Sequence, residues 1–213
     1  MPINTQSLNQ IISDLKSSKK HCELLVVTKT RPVADIETLL QSGYSLFGEN
    51  RVQEAEKKYF NLRKNFNFDL HLIGPLQSNK YLNALQLFDT IQTIDRKKII
   101  DLIAKEIENN KNIRTKDFYI QVNIGNEDQK SGVNIDEVES IYNYATQKKL
   151  NVIGLMCIPP NNMDASFYFE NMLNLKNKIN SNLKLSMGMS NDYLLALNYE
   201  SNIVRIGSMI FNE

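Results

Sequence analysis

A rhythm constrains this chain more than any other feature: eight short apolar runs alternate with amphipathic stretches between residues 24 and 211. The runs are LLVVTK, YSLFGEN, FDLHLIGP, TIQTI, FYIQVNI, NVIGLMCI, KLSMGMS and IVRIGSMIF. Most are apolar at consecutive positions, as strands buried on both faces are. The intervening stretches carry helical stripes, such as Val33, Ile36, Leu39 and Leu40, or Val52, Ala55, Tyr59 and Leu62. Strands that alternate with helices predict a parallel sheet covered by helices. Eight of them predict a closed (β/α)8 TIM barrel rather than an open sheet. No linker or composition shift divides the chain, so residues 1–213 are expected to form a single domain. An N-terminal helix over residues 4–17, striped by Leu8, Ile11, Ile12 and Leu15, precedes the first strand.

Local signals refine this frame. Pro32 suits a helix start, and Gly43 suits a left-handed cap at that helix's end. Asp95 is placed to cap the helix after TIQTI, Asn134 and Glu137 are spaced as a capping box, and Ser190 can cap the helix after KLSMGMS. The eighth run reads as a strand up to Phe211, which leaves no room for an eighth helix. The N-terminal helix is expected to cover that gap.

Composition removes whole classes of function. A net charge of +1 gives no reason to expect a nucleic-acid or anionic-membrane partner. No apolar run approaches the roughly 18–20 residues of a spanning helix, and the N-terminus lacks a secretory pattern. Cys22 and Cys157 stand far apart without metal-ligand spacing, so a reduced, cytoplasmic protein is expected. His21 and His71 do not make a metal site, and P-loop and Rossmann fingerprints are absent. No metal is expected, and a monomer is.

In such barrels chemistry sits at the carboxyl ends of the strands. Polar residues gather there: Lys29 after the first, Glu49 and Asn50 after the second, Gln77, Ser78 and Asn79 after the third. Ser190 follows the seventh, and Arg205, Gly207 and Ser208 belong to the eighth. Loops after strands seven and eight commonly hold phosphate in this fold. Gly207 and Ser208 can bring amides close to an anion. An inward-facing lysine opposite such a cradle suggests a phosphorylated aldehyde, because a desolvated amine is held neutral and forms a Schiff base. Residue types alone leave pyridoxal 5′-phosphate (PLP) and a phosphosugar aldolase equally open. Each signal also has a plainer reading. Lys29 could be a solvated strand-end lysine, Arg205 could pair with a carboxylate, and Asn50 could cap the next helix. His71 reads as a hydrogen-bonded strand histidine, and Lys130 as an exposed loop residue.

Nine blocks in order, VVTKTRP, FGEN, HLIGPLQSNK, TID, QVNI, KSG, GLM, LSMGMSND and VRIGSMIF, carry a resemblance over nearly the whole chain. They resemble the PLP homeostasis proteins, also called the YggS/PROSC family. The resemblance implies a barrel of the alanine racemase N-terminal type with PLP held as a Schiff base on Lys29. It implies that Ser190, Gly207 and Ser208 hold the phosphate, that Arg205 faces the pyridine nitrogen, and that Asn50 lies beside the ring. Three positions depart from the family pattern. Arg51 stands for the usual tyrosine, Glu200 for a glycine before VRIG, and Asn212 for the glycine after IF.

The resemblance favours a PLP-binding homeostasis protein without established catalysis over a PLP-dependent amino-acid racemase, and lowers the aldolase. A racemase of this barrel type needs a second base from a separate C-terminal domain, and the sequence ends at Glu213. No catalytic residue is therefore expected beyond the cofactor lysine. Apo-enzymes that use PLP are the expected recipients.

Overall fold

The computed structural model describes residues 3–110, 112–127, 129–160 and 163–211. A strand forms on each predicted run, two of them starting one residue early: β1 (Glu23–Val27), β2 (Leu46–Glu49), β3 (Asp69–Leu72), β4 (Thr90–Ile94), β5 (Asp117–Val122), β6 (Val152–Cys157), β7 (Lys184–Ser186) and β8 (Ile203–Ile206). They pair in chain order, all parallel, and close into a barrel through β1 and β8. That closure sets Leu25 beside Arg205 and Val26 beside Ile206. Seven helices fill the connections: α2 (Val33–Gln41), α3 (Val52–Leu62), α4 (Tyr81–Leu87), α5 (Lys97–Asn109), α6 (Val138–Gln147), α7 (Ala165–Ile179) and α8 (Tyr193–Asn198). They lie between α1 (Thr5–Ser17) and the one-turn α9 (Ser208–Phe211).

The two faces of each strand feed two cores, because successive side chains point to opposite sides. Leu25, Ile73, Tyr119, Met156 and Ile203 fill the barrel, with Val27 and Ile158 packed against them. The larger cluster lies between sheet and helices and takes Val26, Phe47, Leu70, Ile91 and Val204 from the outer faces.

The eighth run is shorter than its sequence suggests. β8 stops at Ile206, and the N–H groups of Ile210 and Phe211 turn back to the Gly207 carbonyl, which coils Ser208–Phe211 into α9. The helix α1 nevertheless covers this corner, as expected. Asn4 N–H donates to the Ile210 carbonyl at 2.8 Å, and the Tyr193 hydroxyl donates to Asp14 at 2.7 Å. Its buried Leu8, Ile11 and Leu15 contribute about 1.5–3 kcal/mol each.

Gly43 adopts φ 89° after α2, the expected left-handed cap. Three predicted N-caps do not form. Asp95 lies one residue before Arg96, the N-cap of α5, and pairs with that arginine's guanidinium instead. The Glu137 N–H donates to the Asn134 carbonyl at 2.9 Å in a 3-10 turn, so backbone satisfies the group that the capping box would serve. Ser190 lies in the turn before α8, whose N-cap is Asp192.

Glu200 has φ 60°, a left-handed conformation that glycine adopts without strain, and its carboxylate pairs with Lys176 (3.3 Å) and Lys20 (3.5 Å). Glu200→Gly and Glu200→Ala both lose these pairs, but only alanine keeps the strain. Chemical denaturation should find the glycine variant more stable by about 1 kcal/mol. Equal stabilities would mean that the turn relaxes without cost. Asn212 lies outside the described residues.

Candidate functional site

At the C-terminal rim of the barrel, most candidate residues lie at the ends of β1, β2, β7 and β8. Leu25 and Val27 line the barrel, and the two-residue period brings Lys29 next on that face. The strand has ended by then. Lys29 stands in a turn closed by Arg31 N–H donating to the Thr28 carbonyl at 3.0 Å, and its side chain is exposed. The expectation of a desolvated amine is thus corrected: the lysine projects beyond the apolar ladder that carries it.

The turn itself is held firmly. Lys58 Nζ donates to the Thr28 carbonyl (2.7 Å), to Glu49 Oε1 (3.0 Å) and to Glu54 Oε1 (2.5 Å). Glu54 also accepts the Thr30 N–H, and Thr30 sits at φ 63°, a strained conformation for a β-branched residue. Thr28 Oγ1 donates to Glu49 Oε1 at 2.8 Å. Helix α3 therefore grips the backbone on both sides of Lys29. Glu49, a rim candidate by position, points outward into this network. Burial raises its carboxyl above the usual range, with Lys58 opposing. Nothing in the local pattern singles out Lys58 or Glu54, which look like ordinary helix-surface charges.

Across the closure, Ser190 and Ser208 come together, with their hydroxyl oxygens 2.8 Å apart. Gly207 packs against β1: a Cβ there would stand 3.0 Å from the Val27 carbonyl oxygen, two residues before Lys29. Arg205 is buried inside the barrel. Its guanidinium donates to Ser186 Oγ (2.9 Å) and to the Cys157 carbonyl (2.7 Å). Among the described residues no carboxylate pairs with it, contrary to the plainer reading. Burial lowers its pKa from the ordinary value, with Cys157 and Asp192 opposing. Gln121 follows Tyr119 on the interior face of β5, and its Oε1 is buried without a hydrogen-bond partner.

Other candidates sort themselves. Asn50 is half-buried at the end of β2 and is not the cap of α3, a position held by the exposed Arg51. Gln77 and Asn79 are exposed, and Ser78 Oγ accepts from Arg96 at 3.4 Å. Lys130 is half-buried rather than free, tied to Glu127 (2.6 Å) and the Pro159 carbonyl (3.1 Å). The thiols of Cys22 and Cys157 are buried, and burial pushes both up to about 12. Among the described residues, no group of His, Cys, Asp or Glu is arranged to hold a metal.

His71 is the hydrogen-bonded strand histidine expected, with Nδ1 2.8 Å from Gln92 Nε2. Burial holds its pKa at about 4 against 6.5, with Asp89 raising it and Lys184 lowering it. The unfolded chain takes up this proton below pH 6.5 and the native protein only near pH 4. His71 therefore contributes stability above pH 6.5 that is lost as pH falls towards 4, by about 3 kcal/mol at most. Urea midpoints across this window should fall less steeply for His71→Gln, and an unchanged slope would assign the acid sensitivity to other groups.

The closed parallel barrel defines a class by its fold, and comparison bears that fold out: the family described as "Alanine racemase, N-terminal domain" matches residues 3–213. The alanine racemase of Acinetobacter baumannii shares this fold at 15% identity and TM-score 0.75, covering 98% of this chain and 62% of that one. Within that class, the chain belongs to the pyridoxal phosphate homeostasis protein family. It is 36% identical to the protein of that name from Pasteurella multocida, over 97% of this chain and 92% of that one. The Aquifex aeolicus protein of the same name is also 36% identical, over 90% of this chain and 86% of that one. PipY of Synechococcus elongatus, solved with PLP bound, superposes at TM-score 0.80 and 28% identity, covering 97% of this chain and 98% of that one.

Proposed function

We propose that this chain serves PLP homeostasis by holding the cofactor as a Schiff base on Lys29, without turning over amino acids. Family membership supports the reading, as does the PLP-bound PipY relative. The observation that carries it is the joined rim. Ser190 and Ser208 meet beside Gly207, just past the end of the strand that pairs with the one leading to Lys29, and Arg205 on that strand supplies a buried cation.

The residues present fit PLP. Two hydroxyls and a close-packed glycine backbone suit a phosphate. Arg205 suits a ring nitrogen, because a guanidinium only donates. The orphaned Gln121 oxygen can accept from a polar ligand. PLP supplies an aldehyde that takes up a primary amine with loss of water, and a ring that withdraws electrons when its nitrogen is protonated. In this reading Lys29 presents the amine, Asn50 flanks the ring, and Ser190, Gly207 and Ser208 anchor the phosphate. Arg205 disfavours a proton on the ring nitrogen, so the ring is a weak electron sink.

Weak carbanion stabilisation predicts the test. The PLP-loaded protein should exchange no appreciable α-proton with deuterated buffer across a panel of amino acids, with Lys29→Ala as control. Fast, Lys29-dependent exchange on any one substrate would make this chain an enzyme.

A further inference from the structure

We propose that Ser186, Gln92 and His71 are positioning residues for Arg205, forming a one-way hydrogen-bond chain through the barrel that fixes its guanidinium at the cofactor ring. This rests on the reading of Arg205 as the partner of the PLP ring nitrogen. The chain crosses four strands. Arg205 Nη1 on β8 donates to Ser186 Oγ on β7 at 2.9 Å, and Ser186 Oγ donates to Gln92 Oε1 on β4 at 2.6 Å. Gln92 Nε2 then meets His71 Nδ1 on β3 at 2.8 Å. All four are buried, with Arg205 4%, Ser186 0%, Gln92 0% and His71 7% exposed.

The direction follows from chemistry. A guanidinium has donors and no acceptor, so Ser186 must accept from Arg205 and send its own proton onward. The Gln92 oxygen takes that proton, which turns the amide nitrogen towards His71 as a donor. His71 must then offer an unprotonated Nδ1 and carry its proton on Nε2. Every link thus has one orientation, set by the cation at its head. A second tie, from Nη2 to the Cys157 carbonyl on β6, pins the guanidinium from the other side. With both terminal nitrogens tied, the group cannot swing away from the interior.

The setting argues for a purpose. Around this chain the interior is apolar, filled by Leu25, Ile73, Tyr119, Met156 and Ile203. Apolar residues could fill the same volume without demanding four satisfied partners, whereas a buried polar chain is costly unless complete. A complete chain specifies a single geometry. Here it ends on the one residue proposed to set the electronics of the ring.

The test uses the full chain loaded with PLP, and reads the visible absorption band, its apparent pKa on pH titration and the PLP dissociation constant. Arg205→Gln checks the underlying reading. Ser186→Ala cuts the chain beside the cation, Ser186→Thr restores the hydroxyl, and Gln92→Leu cuts the middle link. We expect Ser186→Ala and Gln92→Leu to shift the band's apparent pKa in the direction that Arg205→Gln shifts it. Each should weaken PLP about two- to tenfold, the range for losing one hydrogen bond. Ser186→Thr should return both readouts towards wild type, which a merely structural role for the oxygen would not require. If Arg205→Gln moves the band while Ser186→Ala leaves it unmoved, the chain does not position the cation and the inference is overturned. An unmoved band in Arg205→Gln overturns the ring reading, and the inference with it. Should Gln92→Leu fail to fold, the two Ser186 variants decide, since they differ from wild type by one small group.

Discussion

Borohydride reduction of the PLP-loaded protein, followed by peptide mapping, should place the pyridoxyl group on Lys29, and Lys29→Ala should abolish that label and the visible band. The expectation rests on which rim amines are available. Lys58 Nζ already donates to three oxygens, and Lys130 is tied to Glu127 and the Pro159 carbonyl. A label on either would require breaking those ties. Lys29 is exposed, and its backbone is gripped on both sides by α3, so the amine is accessible while its base is fixed. A primary amine condensing with the aldehyde releases water and leaves a bond that reduction makes permanent. Lys29→Ala should still retain some PLP without the covalent bond, because the proposed phosphate contacts would remain. Loss of the band is therefore a sharper readout than loss of binding. A label that maps mainly to Lys80 or Lys130 would move the site to another part of the rim.

The second large effect concerns the phosphate. Pyridoxal offers the same aldehyde and ring as PLP but nothing for the proposed cradle of Ser190, Gly207 and Ser208 to hold. Hydrogen bonds to a charged group contribute about 1.5–3 kcal/mol each, so losing two should weaken binding by at least about a hundredfold. Titration of both aldehydes against the apo-protein, followed by absorption, measures this ratio directly. Ser190→Ala/Ser208→Ala should narrow it, weakening PLP and leaving pyridoxal nearly unaffected. Comparable affinities for the two aldehydes in the wild-type protein would remove the phosphate site from this account.

The same arrangement gives the departures from the family pattern a physical content. Glu200 occupies a left-handed position that glycine fills more comfortably, yet its carboxylate answers the buried Lys176. The turn feeding β8 therefore holds a left-handed glutamate fixed by an ion pair. Arg51 remains exposed at the start of α3 and adds its charge near Glu54, whose carboxyl the Lys58 bond and the Thr30 N–H hold below the usual range despite partial burial.

Periodicity is a local property, and what depends on it was legible before any coordinates. The apolar runs and helical stripes sufficed for eight strands, their covering helices and the barrel they close. The rule that chemistry sits at strand ends picked out Lys29, Ser190, Arg205, Gly207 and Ser208. The structure brings Ser190 and Ser208 into contact and sets Gly207 against the strand leading to Lys29. Tertiary structure alone decided the rest. Asp95 stands where its sequence neighbourhood suggests a helix cap, and in the fold it pairs with Arg96 instead. Lys29 could end its strand buried or stand beyond it, a difference of two residues in where the ladder stops. The chain from Arg205 through Ser186 and Gln92 to His71 includes one hydrogen bond between residues 94 positions apart. Polar residues within TIQTI and KLS could hint at such a chain, but they could not name its partners. Hydrogen bonds of this kind are short-ranged in space and indifferent to sequence separation, so they exist only once the barrel has closed and brought its strands within 3 Å of one another's side chains.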